Sequence, residues 1–128
     1  MGGVPMGKKV LILDDEEDLC KEVVGYLKEL GYDAYYCTDG EAGLEMLEKK
    51  YPDLLLVDIR MPKLSGLEVL HELTRRYSHL VVVVISGYLD RETTIKAIEY
   101  GAATCVDKPF KLEELAERVI KPLIGPGK

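Results

Sequence analysis

A few side chains stand out for what they could do together. Asp14 and Asp15 follow the apolar run Val10–Leu13, and Asp58 follows Leu54–Val57. Ser86 follows Val81–Ile85, and Lys108 follows Ala103–Val106 with Asp107 between them. Three carboxylates in one small site repel one another unless a cation joins them. A hard divalent ion with oxygen ligands meets that need. Mg²⁺ suits it best, because it binds one or two carboxylates together with phosphate. A lysine and a hydroxyl are the other parts that stabilise a phosphoryl group in transfer. A carboxylate not consumed by the metal can attack phosphorus and become an acyl phosphate. Asp58 is the nucleophile candidate, since it stands alone between the acidic pair and the lysine.

Taken singly, these residues say little. An Asp after a strand is usually a turn residue, Ser-Gly is a turn signal, and a lone Lys-Pro is uninformative. Glu16, Glu17 and Asp18 read as helix-start acids that favour the positive end of the helix dipole. The specificity lies in the joint occurrence, each group at the end of its own strand.

Those strands alternate with amphipathic stretches. Apolar runs over Val10–Leu13, Ala34–Cys37, Leu54–Val57, Val81–Ile85 and Ala103–Val106 read as buried parallel strands. The first helical stretch carries Leu19, Val23, Tyr26, Leu27 and Leu30 and ends at Gly31. Asp39 caps a second helix with Leu44 and Leu47 inward, broken at Tyr51-Pro52. Ser65 and Glu68 have capping-box spacing before a third, with Leu67, Leu70, Leu73 and Tyr77 on it. Asp90 caps a fourth, containing Ile95 and Ile98 and ending at Gly101. Leu112, Leu115, Val119 and Ile120 mark a fifth, terminated near Pro122 to Gly125. Five strand–helix units predict an α/β fold, a five-stranded parallel sheet with helices on both faces. In such a sheet the functional crevice lies beyond the carboxyl ends of the strands, where all the singled-out groups fall.

The composition agrees with one globular domain. The chain has 128 residues, 47% apolar and 31% charged. Of the net charge of −6, five units sit in the run Asp14 to Asp18, leaving −1 for the rest. An acidic balance argues against a nucleic-acid surface. The longest apolar run, Leu80–Ile85, is far short of a membrane span, and Met1–Lys9 has no apolar core of signal-peptide length. The cysteines Cys20, Cys37 and Cys105 form no Cys-x-x-Cys pair, so zinc and dithiol redox chemistry are not indicated. They are expected to be reduced, mostly buried thiols in a cytoplasmic protein. The expected domain spans residues 8–124, with 1–7 as a leader and 125–128 as a tail or linker, and the Gly/Pro-rich ends are expected to be loose.

The pattern resembles the receiver domain of two-component response regulators. The resemblance rests on Leu13-Asp14-Asp15, on Asp53 through Pro62 with Ser65-Gly66-Leu67-Glu68, on Val84-Ile85-Ser86-Gly87 and on Asp107-Lys108-Pro109-Phe110. It implies a flavodoxin-like (βα)5 sheet of order 2-1-3-4-5. It implies Asp58 as phosphoacceptor, Asp15 and Asp58 as side-chain ligands of Mg²⁺, and Asp14 acting mainly through metal-bound water. The backbone carbonyl of Arg60 would complete the metal shell. Ser86 and Lys108 would hold the phosphoryl oxygens, with the Lys108–Pro109 bond cis. The implied donor is a sensor histidine kinase or a phosphotransfer protein. The implied output is changed binding through helix four, strand five and helix five, to a downstream protein, an attached output domain or a second copy. Such a domain is no enzyme beyond its own phosphoryl transfer and dephosphorylation.

Two departures bear on the switch. The aromatic residue usual on strand five is Cys105 here, which puts in doubt the usual coupling of hydroxyl movement to ring rotation. Tyr88 or Tyr100 could substitute, or both could be plain surface or core tyrosines. Cys105 as a redox sensor is a further reading, set against the inertness of buried thiols. Arg60 and Tyr88 flank the acceptor and are expected to restrict attacking water and lengthen the phosphorylated lifetime. Three readings compete with a working receiver. A phosphohydrolase of the haloacid-dehalogenase type would need a second acid where Arg60 stands. A flavin-binding module would need a phosphate loop where Asp14 to Asp18 stand. A degenerate receiver would lack part of the Asp14, Asp15, Asp58, Ser86 and Lys108 set.

Overall fold

A computed structural model describes residues 7–61 and 67–128. The expected Ser65 cap and most of the expected leader lie outside the described residues. Five parallel strands, β1 (Lys9–Leu13), β2 (Asp33–Cys37), β3 (Leu54–Asp58), β4 (Val81–Ser86) and β5 (Thr104–Asp107), form one sheet of order β2-β1-β3-β4-β5. This is the expected 2-1-3-4-5 arrangement. The helices are α1 (Glu17–Glu29), α2 (Gly40–Lys50), α3 (Leu67–Arg76), α4 (Arg91–Glu99) and a final helix over 112–124, called α5 here.

Side chains alternate across a strand, and that alternation builds two cores. Val10, Ile12, Leu54, Leu56, Val83 and Ile85 face one side, against Cys20, Val23 and Leu27 of α1 and Leu115, Ala116 and Ile120 of α5. Leu11, Leu13, Leu55, Val57, Val82 and Val84 face the other, against Leu47 of α2, Leu70 and Leu73 of α3 and Ala97 of α4. Every residue of β3 is buried. A strand covered on both faces must be apolar throughout, so an aspartate at its end is conspicuous.

Helix ends follow their local chemistry. Asp39 Oδ1 accepts from Ala42 N–H at 2.9 Å, and Asp90 Oδ1 from Thr93 N–H at 2.7 Å, capping α2 and α4. Tyr51, ahead of Pro52, takes a left-handed conformation with φ 48° and closes α2.

Several expectations need correction. Leu44 is not inward but 41% exposed. The helix instead turns Gly40, Gly43 and Leu47 to the core. Gly43 packs so tightly that a Cβ there would lie 2.1 Å from Leu13 Cδ2. Leu44, one residue on, is rotated about 100° away. Helix five ends within the expected Pro122 to Gly125 stretch, at Ile124, but its winding is irregular. It runs through a π-wound segment, Leu115–Ile120, where Lys121 N–H donates to Ala116 O, and continues over Lys121–Ile124. Pro122 has no N–H for the carbonyl four residues back, and the wider winding just before it accommodates that loss. The C-terminal tail is docked rather than loose. Gly127 is buried, and Tyr32 Oη donates to Gly125 O at 2.8 Å. Cys20 and Cys37 are buried, but Cys105 is only half-buried.

Candidate functional site

Hydrogen bonding carries the strands further than their apolar runs. Asp58 and Ser86 are the last residues of β3 and β4, and Asp107 is the last of β5. Asp14 N–H donates to Cys37 O at 3.2 Å, and Lys108 N–H to Ser86 O at 2.8 Å, each prolonging a ladder by one step. The functional side chains therefore spring from sheet backbone, which holds them more rigidly than loops would.

Asp14 is fully buried. Its Oδ1 accepts from Glu16 N–H at 2.9 Å and its carbonyl from Cys20 Sγ–H at 3.3 Å. Its Oδ2 lies 2.6 Å from Lys108 Nζ, an ion pair at an angle outside good hydrogen-bond geometry. Burial raises the Asp14 pKa above the usual carboxylate value; Lys108 and the Glu16 N–H oppose this without cancelling it. Asp58 is buried too, with Oδ1 accepting from Arg60 N–H at 2.8 Å and Oδ2 from Lys108 Nζ at 3.0 Å. Asp15 is exposed, yet it offers an oxygen to the same point. One oxygen each from Asp14, Asp15 and Asp58 lie within 4.8 Å of one another.

Lys108 follows β5 and leads into a cis Lys108–Pro109 bond. Burial would lower its pKa, but the neighbouring Asp14, Asp58 and Glu16 carboxylates outweigh that and hold the ammonium well above its usual value. Its third carboxylate neighbour, Glu16 Oε2 at 3.0 Å, was not expected from the sequence. Glu16 is the N-cap of α1, but its side chain makes no cap hydrogen bond. The available signal was a glutamate where Ser, Thr, Asp or Asn is favoured.

Ser86 is buried, and its hydroxyl is engaged with its own loop. Oγ accepts from Tyr88 N–H at 3.1 Å and donates to Tyr88 O at 3.2 Å. The Arg60 guanidinium sits 5.3 Å from the Tyr88 ring centre, bridging the loops after β3 and β4. Tyr100 packs on His71 instead, with ring centres 5.1 Å apart. Cys105 lies opposite Val84 on β5, and burial pushes its thiol pKa up. That is the direction of an unreactive thiol.

Three carboxylates, Asp14, Glu16 and Asp58, thus face one ammonium, and Asp15 adds a fourth beside Asp14 and Asp58. Such an excess of clustered negative oxygen fits a hard divalent cation, and the donor set is all oxygen.

Residues 10–120 match the family described as "Response regulator receiver domain". The chain belongs to the response regulator receiver family. Among its relatives is the alkaline phosphatase synthesis transcriptional regulatory protein PhoP of Bacillus subtilis. The two are 32% identical over 114 residues, which cover 89% of this chain and 48% of that protein. The nitrogen assimilation regulatory protein NtrX of Azorhizobium caulinodans is 35% identical over 123 residues, covering 92% and 27%. The receiver therefore spans half or less of the length of these relatives. Among solved structures, a CheY-like receiver domain protein from Methanospirillum hungatei superposes with a TM-score of 0.83 at 25% identity, covering 91% of this chain and 93% of that one. The Francisella response regulator 1452 receiver domain gives 0.80 at 27%, covering 88% and 93%. The protein is the receiver domain of a two-component response regulator. Among the described residues no helix is long and apolar enough to cross a membrane.

Proposed function

We propose that this receiver accepts a phosphoryl group onto Asp58 from the phosphohistidine of a sensor kinase or phosphotransfer protein, in a Mg²⁺-dependent reaction. The observation that carries this is Lys108 Nζ at 3.0 Å from Asp58 Oδ2, within the cluster that Asp14 and Asp15 complete. An Asp58 oxygen forms a bond to phosphorus. The bond from phosphorus to the donor nitrogen breaks, and its electron pair stays on the imidazole. Lys108 balances charge on the phosphoryl oxygens, and Arg60 N–H orients the carboxylate. Asp14, Asp15, Asp58 and the Arg60 carbonyl would hold Mg²⁺, which when bound neutralises charge between carboxylates and phosphoryl group.

Ser86 supplies the switch. Its hydroxyl must leave the Tyr88 peptide to bond a phosphoryl oxygen, drawing the loop after β4 with it. That loop leads into α4, whose Ile95 and Ile98 are exposed, so the α4–β5–α5 face would change its affinity for an output partner or a second copy. The Arg60–Tyr88 bridge stands where it would restrict attacking water and lengthen the phosphorylated lifetime. The functional unit is residues 8–124, with the docked segment 125–128 packed against it. It works in the cytoplasm and does not itself contact nucleic acid.

The test is intact-mass measurement after incubation with Mg²⁺ and a small acyl phosphate. The expected result is one labile phosphoryl adduct in wild type and none in Asp58→Asn. An adduct that persists in Asp58→Asn would overturn the assignment.

A further inference from the structure

A lysine ammonium has three protons to donate. Around Lys108 Nζ stand three carboxylates: Asp14 Oδ2 at 2.6 Å, Glu16 Oε2 at 3.0 Å and Asp58 Oδ2 at 3.0 Å. The proposed function asks this same ammonium to pair with a phosphoryl oxygen. One of the three neighbours has to give way.

Asp14 is the wrong candidate. It is fully buried, with no water to receive it, and Glu16 N–H holds its Oδ1. Asp58 is also wrong, since it carries the phosphorus and its Oδ1 is bound by Arg60 N–H. Glu16 differs from both. Its side chain is 61% exposed, and among the described residues its hydrogen bond is to Lys108. Its backbone is fixed, with N–H on Asp14 Oδ1 and the carbonyl accepting from Cys20 N–H at 3.1 Å. The carboxylate can swing into solvent while α1 stays in place.

We propose that Glu16 is a positioning residue that occupies Lys108 in place of the phosphoryl group, and that its release accompanies phosphorylation. The proposal rests on Asp58 being the phosphoacceptor. The incoming group brings roughly −1.5 to −2 charges, and repulsion between like charges on one ammonium expels the exposed partner. Glu16 therefore keeps Lys108 oriented in the resting state and weakens the initial binding of any phosphodonor anion. This is a brake on phosphorylation by small donors.

The experiment measures the initial rate of adduct formation against acyl phosphate concentration, at fixed Mg²⁺ and ionic strength. It compares wild type, Glu16→Gln, Glu16→Ala, Asp58→Asn and Glu22→Gln. Glu22 lines the same groove beside Leu19, Lys108 and Phe110, and its loss removes the same charge without touching the ammonium. Thermal-shift titration with beryllofluoride gives a second reading that does not depend on turnover. Both Glu16 variants are expected to lower the half-saturating concentration about two- to fivefold, the scale of one exposed charge pair. The limiting rate should be preserved and Glu22→Gln should match wild type. Unchanged or weaker donor binding in the Glu16 variants, or an equal gain in Glu22→Gln, overturns the Glu16 assignment and leaves the phosphoacceptor intact. An adduct that survives Asp58→Asn overturns both.

Discussion

The two ends of the sheet are built on opposite principles. At the carboxyl ends of the strands, three carboxylates crowd one ammonium, and among the described residues a buried serine hydroxyl bonds its own loop. At the amino ends, Gly7, Gly31 and Gly127 bring three backbone segments together, with the Lys128 side chain laid against Gly31. A Cβ on Gly127 would lie 2.7 Å from Leu30 O, Gly31 C and Tyr32 N, and Gly31 has φ +96°. One end closes the fold by backbone contact. The other keeps like charges together at a cost to stability, the mark of a site kept for a ligand. The fold can tolerate the second because the first, and the two apolar cores, hold the strands in register.

That contrast can be broken at several points. The largest stability change is expected from the cation itself. Mg²⁺ at a hundredfold excess over its dissociation constant should stabilise the folded state by about 2.7 kcal/mol. Thermal melts should show this as a rise in Tm that Asp15→Asn removes; Ca²⁺-free EDTA buffer sets the baseline. A melt indifferent to Mg²⁺ would remove the reason for keeping the acids together.

A smaller loss is expected at the other end. Gly127→Val should cost about 1 kcal/mol, because the tail can undock rather than strain the whole sheet. Hydrogen exchange at Leu30, Gly31 and Tyr32 should rise, while phosphorylation stays as in wild type. Altered phosphorylation with unchanged exchange would mean that the two ends are not separable.

The smallest effect concerns Asp14, and its sign is informative. Burial raises its folded-state pKa above the unfolded value. Between those two values the folded protein holds the proton more firmly, so stability rises as pH falls through that window. Above it, the ionised Asp14 opposes folding. Asp14→Asn keeps an oxygen for Glu16 N–H and removes the charge. Its Tm at pH 7 without Mg²⁺ should exceed that of wild type, and the gain should shrink as the pH falls towards 4. A lower Tm at pH 7 would show that the Lys108 pairing outweighs the burial.

Much of this was legible because it depends on near neighbours in sequence. Short apolar runs separated by helical periodicity can only pack as a covered parallel sheet. Asp39 and Asp90 cap helices through residues three positions away. Leu44 was misplaced because periodicity shows that a helix has an apolar face, but which residues meet the sheet depends on how closely Gly43 approaches Leu13. The Tyr32–Gly125 contact joins residues 93 apart in the chain, and no local pattern announces it. Glu16 was hidden for the same reason, since its role is set by a lysine 92 residues away.

The residue order by itself determined the fold class and the strand ends at which Asp14, Asp15, Asp58, Ser86 and Lys108 stand. These follow from periodicity and composition, which act over a few residues. Only the tertiary structure decided which carboxylates share Lys108, where the Ser86 hydroxyl points and that the tail is docked. Those outcomes are set by distances of about 3 Å between distant parts of the chain, and they exist only once the sheet has brought its strand ends together.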